Sequence, residues 1–261
     1  MGLHSPSNIY MTPNGNLYVA DTSNYRVQLF SNGSRIGTTV AGDQTAGATM
    51  AQLNLPTSVS IDSSTGNMYI SDTNNHRIQI WAVNATQSST FVGGLDWCVG
   101  TQIDAQGYIY ASDFLANQVL RWFPNGTYSM LVAGNGTAGS GNQSLNGPFR
   151  MDFDASVATA GVTVAGGNGA GNASSQLKYP RSIYVSRKTG SIYVADTNNH
   201  RIQRWSVGAT QGVTIAGDPY CVSGNGAAQL NMPVGVILDA NETYLFVSDQ
   251  GNNRIQRFTL I

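Results

Sequence analysis

Four aspartates are each followed five residues later by an arginine: Asp21 and Arg26, Asp72 and Arg77, Asp196 and Arg201, Asp249 and Arg254. An asparagine lies inside each pair, at Asn24, Asn75, Asn199 and Asn252. A carboxylate beside a guanidinium and an amide could abstract a proton or clamp an anion. Recurrence argues for a different role. A catalytic centre breaks repeat symmetry, whereas a packing device returns with every repeat. The carboxylate can accept backbone N–H bonds across a turn, and the planar guanidinium can bridge to it bidentately. A looser copy centres on Asp113, with Ala116 in the asparagine slot and Gln118 in the arginine slot.

A second set of carboxylates ends the apolar runs: Asp62, Asp104, Asp154 and Asp239. These are the carboxylates placed to line an axis, and calcium, which takes six to eight oxygens, is the cofactor they could hold. Their plainer role is to close a turn. The histidines are His4, His76 and His200. Zinc needs three or four ligands converging on one point, and two of these sit on separate repeat turns, so no zinc site is expected. Gly134-Asn135-Gly136-Thr137-Ala138-Gly139 matches a dinucleotide fingerprint but runs into more loop instead of the helix that chemistry needs. No Ser-His-Asp set stands off the repeat pattern. Cys98 takes the slot that Pro56 fills one repeat earlier, and Cys221 lies in a linker. On distant blades, free thiols are favoured over a bridge.

The elements that must position these residues repeat with them. NMYISDTNNHRIQIW at residues 67–81 returns as SIYVADTNNHRIQRW at 191–205 and in variant form at 16–30 and 243–258, with YIYASDFLANQVLRW at 108–122. Met68-Tyr69-Ile70 suits a packed strand. Asp72-Thr73-Asn74-Asn75 is turn chemistry, and Arg77–Trp81 alternates with a strand's period of two. An apolar run opened by Pro6, Pro56, Cys98, Pro148, Pro180 or Pro233 precedes each unit, where proline's missing N–H does least harm. A fourth strand follows, ending in small residues such as Val40-Ala41-Gly42 and Ile215-Ala216-Gly217. Four strands per repeat, with a period of roughly fifty residues, predict a β-propeller.

The expected fold is therefore all-β, one domain over residues 1–261, with repeats near 3–52, 53–94, 95–144, 145–176, 177–229 and 230–261. Five are substantial blades. The fourth lacks its central unit, about 18 residues by comparison with the fifth, and is expected to shrink to a hairpin. The last blade lacks an outer strand. Gly- and Ser-rich linkers at 42–52, 134–144, 166–176 and 217–229 are long enough to carry binding function. The abrupt start, without a leader-like stretch, fits an excerpt of a longer protein.

The pattern Pro-x-x-[VI]…Tyr-[VI]-x-Asp-x-x-Asn-x-Arg-[IV]-Gln-x-[WF] resembles the NHL repeat family. It is carried best by Asn75-His76-Arg77-Ile78-Gln79 and Asn199-His200-Arg201-Ile202-Gln203. The resemblance implies a propeller, commonly six-bladed. The family spans RNA- and protein-binding domains and extracellular modules, and similar propellers form a peptide-amidating lyase whose histidines converge in the channel. Fold alone does not choose among these.

Only 10% of residues are charged and the net charge is −1, which disfavours nucleic acid as a partner. No apolar run reaches membrane-spanning length. Glycosylation sequons stand at Asn32, Asn84, Asn125, Asn135, Asn142, Asn172 and Asn241, and the first three share a turn before the fourth strand. They favour a secreted or cell-surface origin. The expected function is a non-catalytic interaction module binding a protein, peptide or glycan through blade-edge loops and the channel mouth. A hydrolase or lyase with a channel calcium ion is the alternative, and RNA binding is the weaker third.

Overall fold

The computed structural model describes residues 2–152 and 161–260. They form five antiparallel sheets, each following chain order. The first blade is β1 (Pro6–Met11), β2 (Leu17–Asp21), β3 (Arg26–Phe30) and β4 (Thr38–Ala41). The second is β5 (Pro56–Ile61), β6 (Met68–Asp72), β7 (Arg77–Trp81) and β8 (Ser89–Gly93). The third is β9 (Cys98–Ile103), β10 (Ile109–Asp113), β11 (Gln118–Trp122) and β12 (Ser129–Gly134). Next come β13 (Pro180–Val185), β14 (Ile192–Asp196), β15 (Arg201–Trp205) and β16 (Val213–Gly217). The last blade is β17 (Pro233–Leu238), β18 (Tyr244–Asp249) and β19 (Arg254–Thr259), with three strands.

The opening strands pack side by side in the order β9, β5, β1, β17, β13 and so form the inner wall of a ring. This is an all-β propeller. None of the described residues of the fourth repeat forms a strand, and the expected hairpin runs through residues 153–160. Asp154 and the rest of 153–160 lie outside the described residues. Residues 148–152 nonetheless fill the space between the third and fifth repeats. Ser112 Oγ donates to the Phe149 carbonyl at 2.6 Å, and the Val185 N–H donates to Asp152 Oδ2 at 2.8 Å.

A four-stranded blade has two apolar faces, and only neighbouring blades can cover them. Leu53, Val59, Ile61, Met68, Ile70 and Trp81 meet Val27 and Ala41 across the first seam. Tyr69 and Ile78 meet Leu95, Ile109 and Ala111 across the next. Ala195, Ile202 and Ala216 meet Leu230, Val236, Leu245 and Val247 between the last two blades, and Ile9 and Val19 pack with Ile237 and Phe246 to close the ring. Each such fully buried aliphatic side chain contributes about 1.5–3 kcal/mol. No helix among the described residues is long and apolar enough to cross a membrane.

Candidate functional site

The repeated triplet does the same job in four blades. Asp72 Oδ2 accepts from Asn75 Nδ2 at 2.8 Å and Arg77 Nε at 2.7 Å, while Oδ1 accepts from the Asn54 N–H at 2.6 Å. Asp196 takes Asn199, Arg201 and the Lys178 N–H, at 2.8, 2.9 and 2.6 Å. Asp249 takes Asn252, Arg254 and the Asn231 N–H, at 2.8, 2.7 and 2.6 Å. Asp21 takes Asn24, Arg26 and the His4 N–H, at 2.9, 2.8 and 2.7 Å. All four aspartates are fully buried.

The expected bidentate bridge is not the geometry found. One guanidinium nitrogen, Nε, meets the carboxylate, and the two terminal nitrogens reach the carbonyls of the loop entering the blade. Arg77 donates to Ala48, Thr49 and Gln52, Arg201 to Asn172, Ala173 and Gln176, and Arg254 to Asn225, Gly226 and Gln229. The Gly-rich linkers at 42–52, 166–176 and 217–229 are thus pinned by the motif.

This pinning shapes the channel mouth. The residue two places before each opening strand is held by the aspartate and also by a backbone bond to the motif turn. The Asn74 N–H donates to the Asn54 carbonyl, Asn198 to Lys178, and Gly251 to Asn231. The next residue must then turn in the left-handed region to enter the strand. Ser5, Leu55, Trp97, Tyr179 and Met232 all do so, with φ of 47, 51, 67, 52 and 52°. The fourth repeat uses Gly147 at 56°. Bulky side chains are rare in this conformation and cost about 1–3 kcal/mol. Trp97, Tyr179 and Met232 are exposed, Tyr179 to 71%. Trp97 and Tyr179 open the repeats on either side of the reduced fourth repeat.

Behind Trp97 an aromatic ladder leads inward. Its ring centroid lies 6.0 Å from Phe114, and Phe114 lies 5.2 Å from Phe149, edge to face. The Arg181 guanidinium sits over Phe149 at 4.9 Å. Arg181 occupies a bulge of β13 against β14, between Pro180 and Ser182, a device that re-aims a side chain. Arg150 Nη2 donates to Ser7 Oγ and to the Thr57 carbonyl, both at 2.8 Å.

Asp113, the looser motif copy, lacks its arginine. Gln118 Nε2 approaches Oδ2 at 3.4 Å, and Oδ1 has no hydrogen-bond partner among the described residues. Burial pushes this carboxyl above the usual range, only partly opposed by Gln118.

Among the described residues, the proposed axial carboxylates Asp62, Asp104 and Asp239 do not gather on a common metal position. Asp62 accepts from the Ser64 N–H and hydroxyl and from Thr65 Oγ1, at 2.9, 2.7 and 2.7 Å. Burial raises its pKa, but these bonds outweigh that and leave it lowered. Asp104 accepts from the Gln106 and Tyr108 N–H groups, and Asp239 from those of Thr243 and Tyr244. Each closes its own turn. Among the described residues no three His, Cys, Asp or Glu side chains converge on a metal position. His76 Nδ1 donates to the Leu95 carbonyl, and His200 Nδ1 accepts from the Met232 N–H, both at 3.1 Å. Burial lowers the His200 pKa, which keeps the accepting neutral ring. Cys98 and Cys221 are free thiols, and burial pushes Cys98 up to about 12. All seven sequon asparagines, Asn32, Asn84, Asn125, Asn135, Asn142, Asn172 and Asn241, are exposed.

No curated protein matches this chain in sequence. Solved structures match in shape. An auxiliary nutrient binding protein from Bacteroides thetaiotaomicron superposes with a TM-score of 0.73 at 17% identity, over 98% of this chain and 69% of its own. Hydrazine synthase from Kuenenia stuttgartiensis gives 0.63 at 11% identity, over 100% and 97%. A binding protein and an enzyme at such identities share the fold and no more. The family model for the NHL repeat matches residues 3–30, 53–81 and 177–205, the first three strands of the first, second and fifth repeats. The chain therefore carries NHL repeats at three positions on a β-propeller of antiparallel blades.

Proposed function

We propose that this chain is a non-catalytic interaction module that takes a protein, peptide or glycan at the channel mouth where the opening strands begin. The observation that carries the reading is the set of strained, exposed apolar side chains there. Trp97, Tyr179 and Met232 are held at positive φ and turned to solvent. Strain of this kind persists where surrounding structure imposes it, and it gathers at ligand sites. Rigid aromatic anchors supply most of the energy in many interfaces. The motif carboxylates of four blades are committed to loop pinning, which leaves them no reacting role. Existence of a nutrient-binding relative in shape is compatible with the same use.

The exposed sequons support a secreted or cell-surface setting. Expression in a secretory cell line followed by glycosidase treatment should lower the mass, and an unchanged mass would count against that setting.

The binding reading is tested on peptide and glycan arrays with the wild-type chain and the Trp97→Ala/Tyr179→Ala double variant. Signals retained by wild type and lost in the double variant are expected. Signals that survive in the double variant would place binding elsewhere. A melting temperature raised by calcium would favour the channel-ion enzyme instead.

A further inference from the structure

We propose that the channel of this propeller binds a small oxyanion group, a carboxylate or a phosphate, on Arg150 with Arg181 beside it. The inference deepens the binding-module reading and rests on it, because it names the charge that a ligand entering at the mouth would bring.

Register makes Arg150 an exception. It is the second residue after the opening position Pro148, where the other repeats place Asn8, Ser58, Gly100, Ser182 and Gly235. Those are short and serve the neighbouring strand. Asn8 Oδ1 accepts from the Val59 N–H, Ser58 Oγ donates to the Thr101 carbonyl, and a Cβ at Gly100 would strike the Phe149 carbonyl at 2.5 Å. Arg150 instead extends from the fourth repeat to Ser7 and Thr57 in the first and second blades. A side chain that joins opposite parts of the inner wall lies across the channel.

Its hydrogen bonding is incomplete. A guanidinium has five N–H donors. Nη2 meets two neutral acceptors, while Nε and Nη1 are shut from solvent and have no partner among the described residues. A buried cation normally finds a carboxylate or a full set of acceptors. The other charge acting on it is of the same sign. Burial first, and Arg181 second, pull the Arg150 pKa down to about 9, which leaves it charged at neutral pH. Arg181 is itself lowered by burial. Asp152, two residues on, gives its carboxylate to Arg187 Nη2 at 2.6 Å and to the Val185 N–H. A buried guanidinium with two unmet nitrogens, with a second guanidinium nearby over the Phe149 ring, calls for anionic oxygen.

The test titrates the wild-type chain with sodium phosphate and, separately, sodium acetate, against sodium chloride at equal ionic strength. Melting temperature and calorimetric heat are both read. The expected result is a melting temperature that rises with oxyanion concentration beyond the chloride control, with one site per chain. The stronger of the two salts identifies phosphate or carboxylate as the group. Arg150→Met should abolish the rise, and Arg181→Gln should weaken binding about tenfold, the loss of one charge-assisted contact. Oxyanions that do no more than chloride, or a rise that survives Arg150→Met, would overturn the proposal. Should Arg150→Met fail to melt cooperatively, Arg181→Gln decides, and unchanged affinity there overturns it. Loss of array binding in the Trp97→Ala/Tyr179→Ala variant is a separate readout, so failure of the anion site and failure of the binding module are told apart.

Discussion

The fifth repeat and the third repeat carry the same aspartate in different company. In the fifth, Asp196 is surrounded by Asn199, Arg201 and the Lys178 N–H, and the arginine goes on to hold three loop carbonyls. In the third, Ala116 and Gln118 replace the partners, and Asp113 remains buried with one oxygen unmatched. In the regular blade the motif is closed: its carboxylate, amide and guanidinium answer one another. The irregular blade adjoins the reduced fourth repeat, the exposed Trp97, the aromatic ladder and the two arginines. Repetition holds this ring together, and the breaks in repetition are where it has groups to offer a ligand.

The comparison breaks most visibly at Arg201. It is 3% exposed beside a fully buried Asp196, so Arg201→Ala leaves an unpaired buried charge and three loop carbonyls without a donor. A loss of about 3–5 kcal/mol in urea unfolding is expected. Arg254→Ala, on the last blade, should cost less, because Arg254 is 31% exposed and its aspartate can borrow solvent. Equal losses would mean that burial does not set the strength of the motif.

Asp113 sharpens the comparison in the opposite direction. Its folded pKa is raised, chiefly by burial. Its contribution to stability is therefore fully present below the unfolded carboxyl value of 3.8 and is lost as pH rises through the raised folded value. At pH 7 the charged carboxylate is a burden. Asp113→Asn should match or exceed wild type there, and the gain should close as pH falls towards 3.8. Asp196→Asn in the same assay should be destabilising. An Asp113→Asn variant that also loses several kcal/mol would show that the third repeat is held like the others.

Much of the fold was legible because it was written several times over. The strand openings at Pro6, Pro56, Cys98, Pro180 and Pro233 are where strands begin. Among the described residues Pro148 opens none. Of the expected axial set Asp62, Asp104, Asp154 and Asp239, the three described carboxylates each find donors within five residues. Trp97 and Tyr179 carry no signal in the sequence because the slot before an opening strand has no side-chain signature. Its meaning lies in φ, and Gly147 was its one sequence hint. Arg150 could have been found by comparing the second register position across repeats, where it alone is charged.

The most direct test of this division of labour is Tyr179→Gly, with unfolding free energy and array binding read on one preparation. Tyr179 is 71% exposed and strained at φ 52°, so glycine removes little packing and relieves the backbone. A variant more stable by about 1 kcal/mol that no longer binds is the expected result. A variant that is less stable, or that binds as wild type does, would contradict the claim that the mouth bears its strain in the service of a ligand.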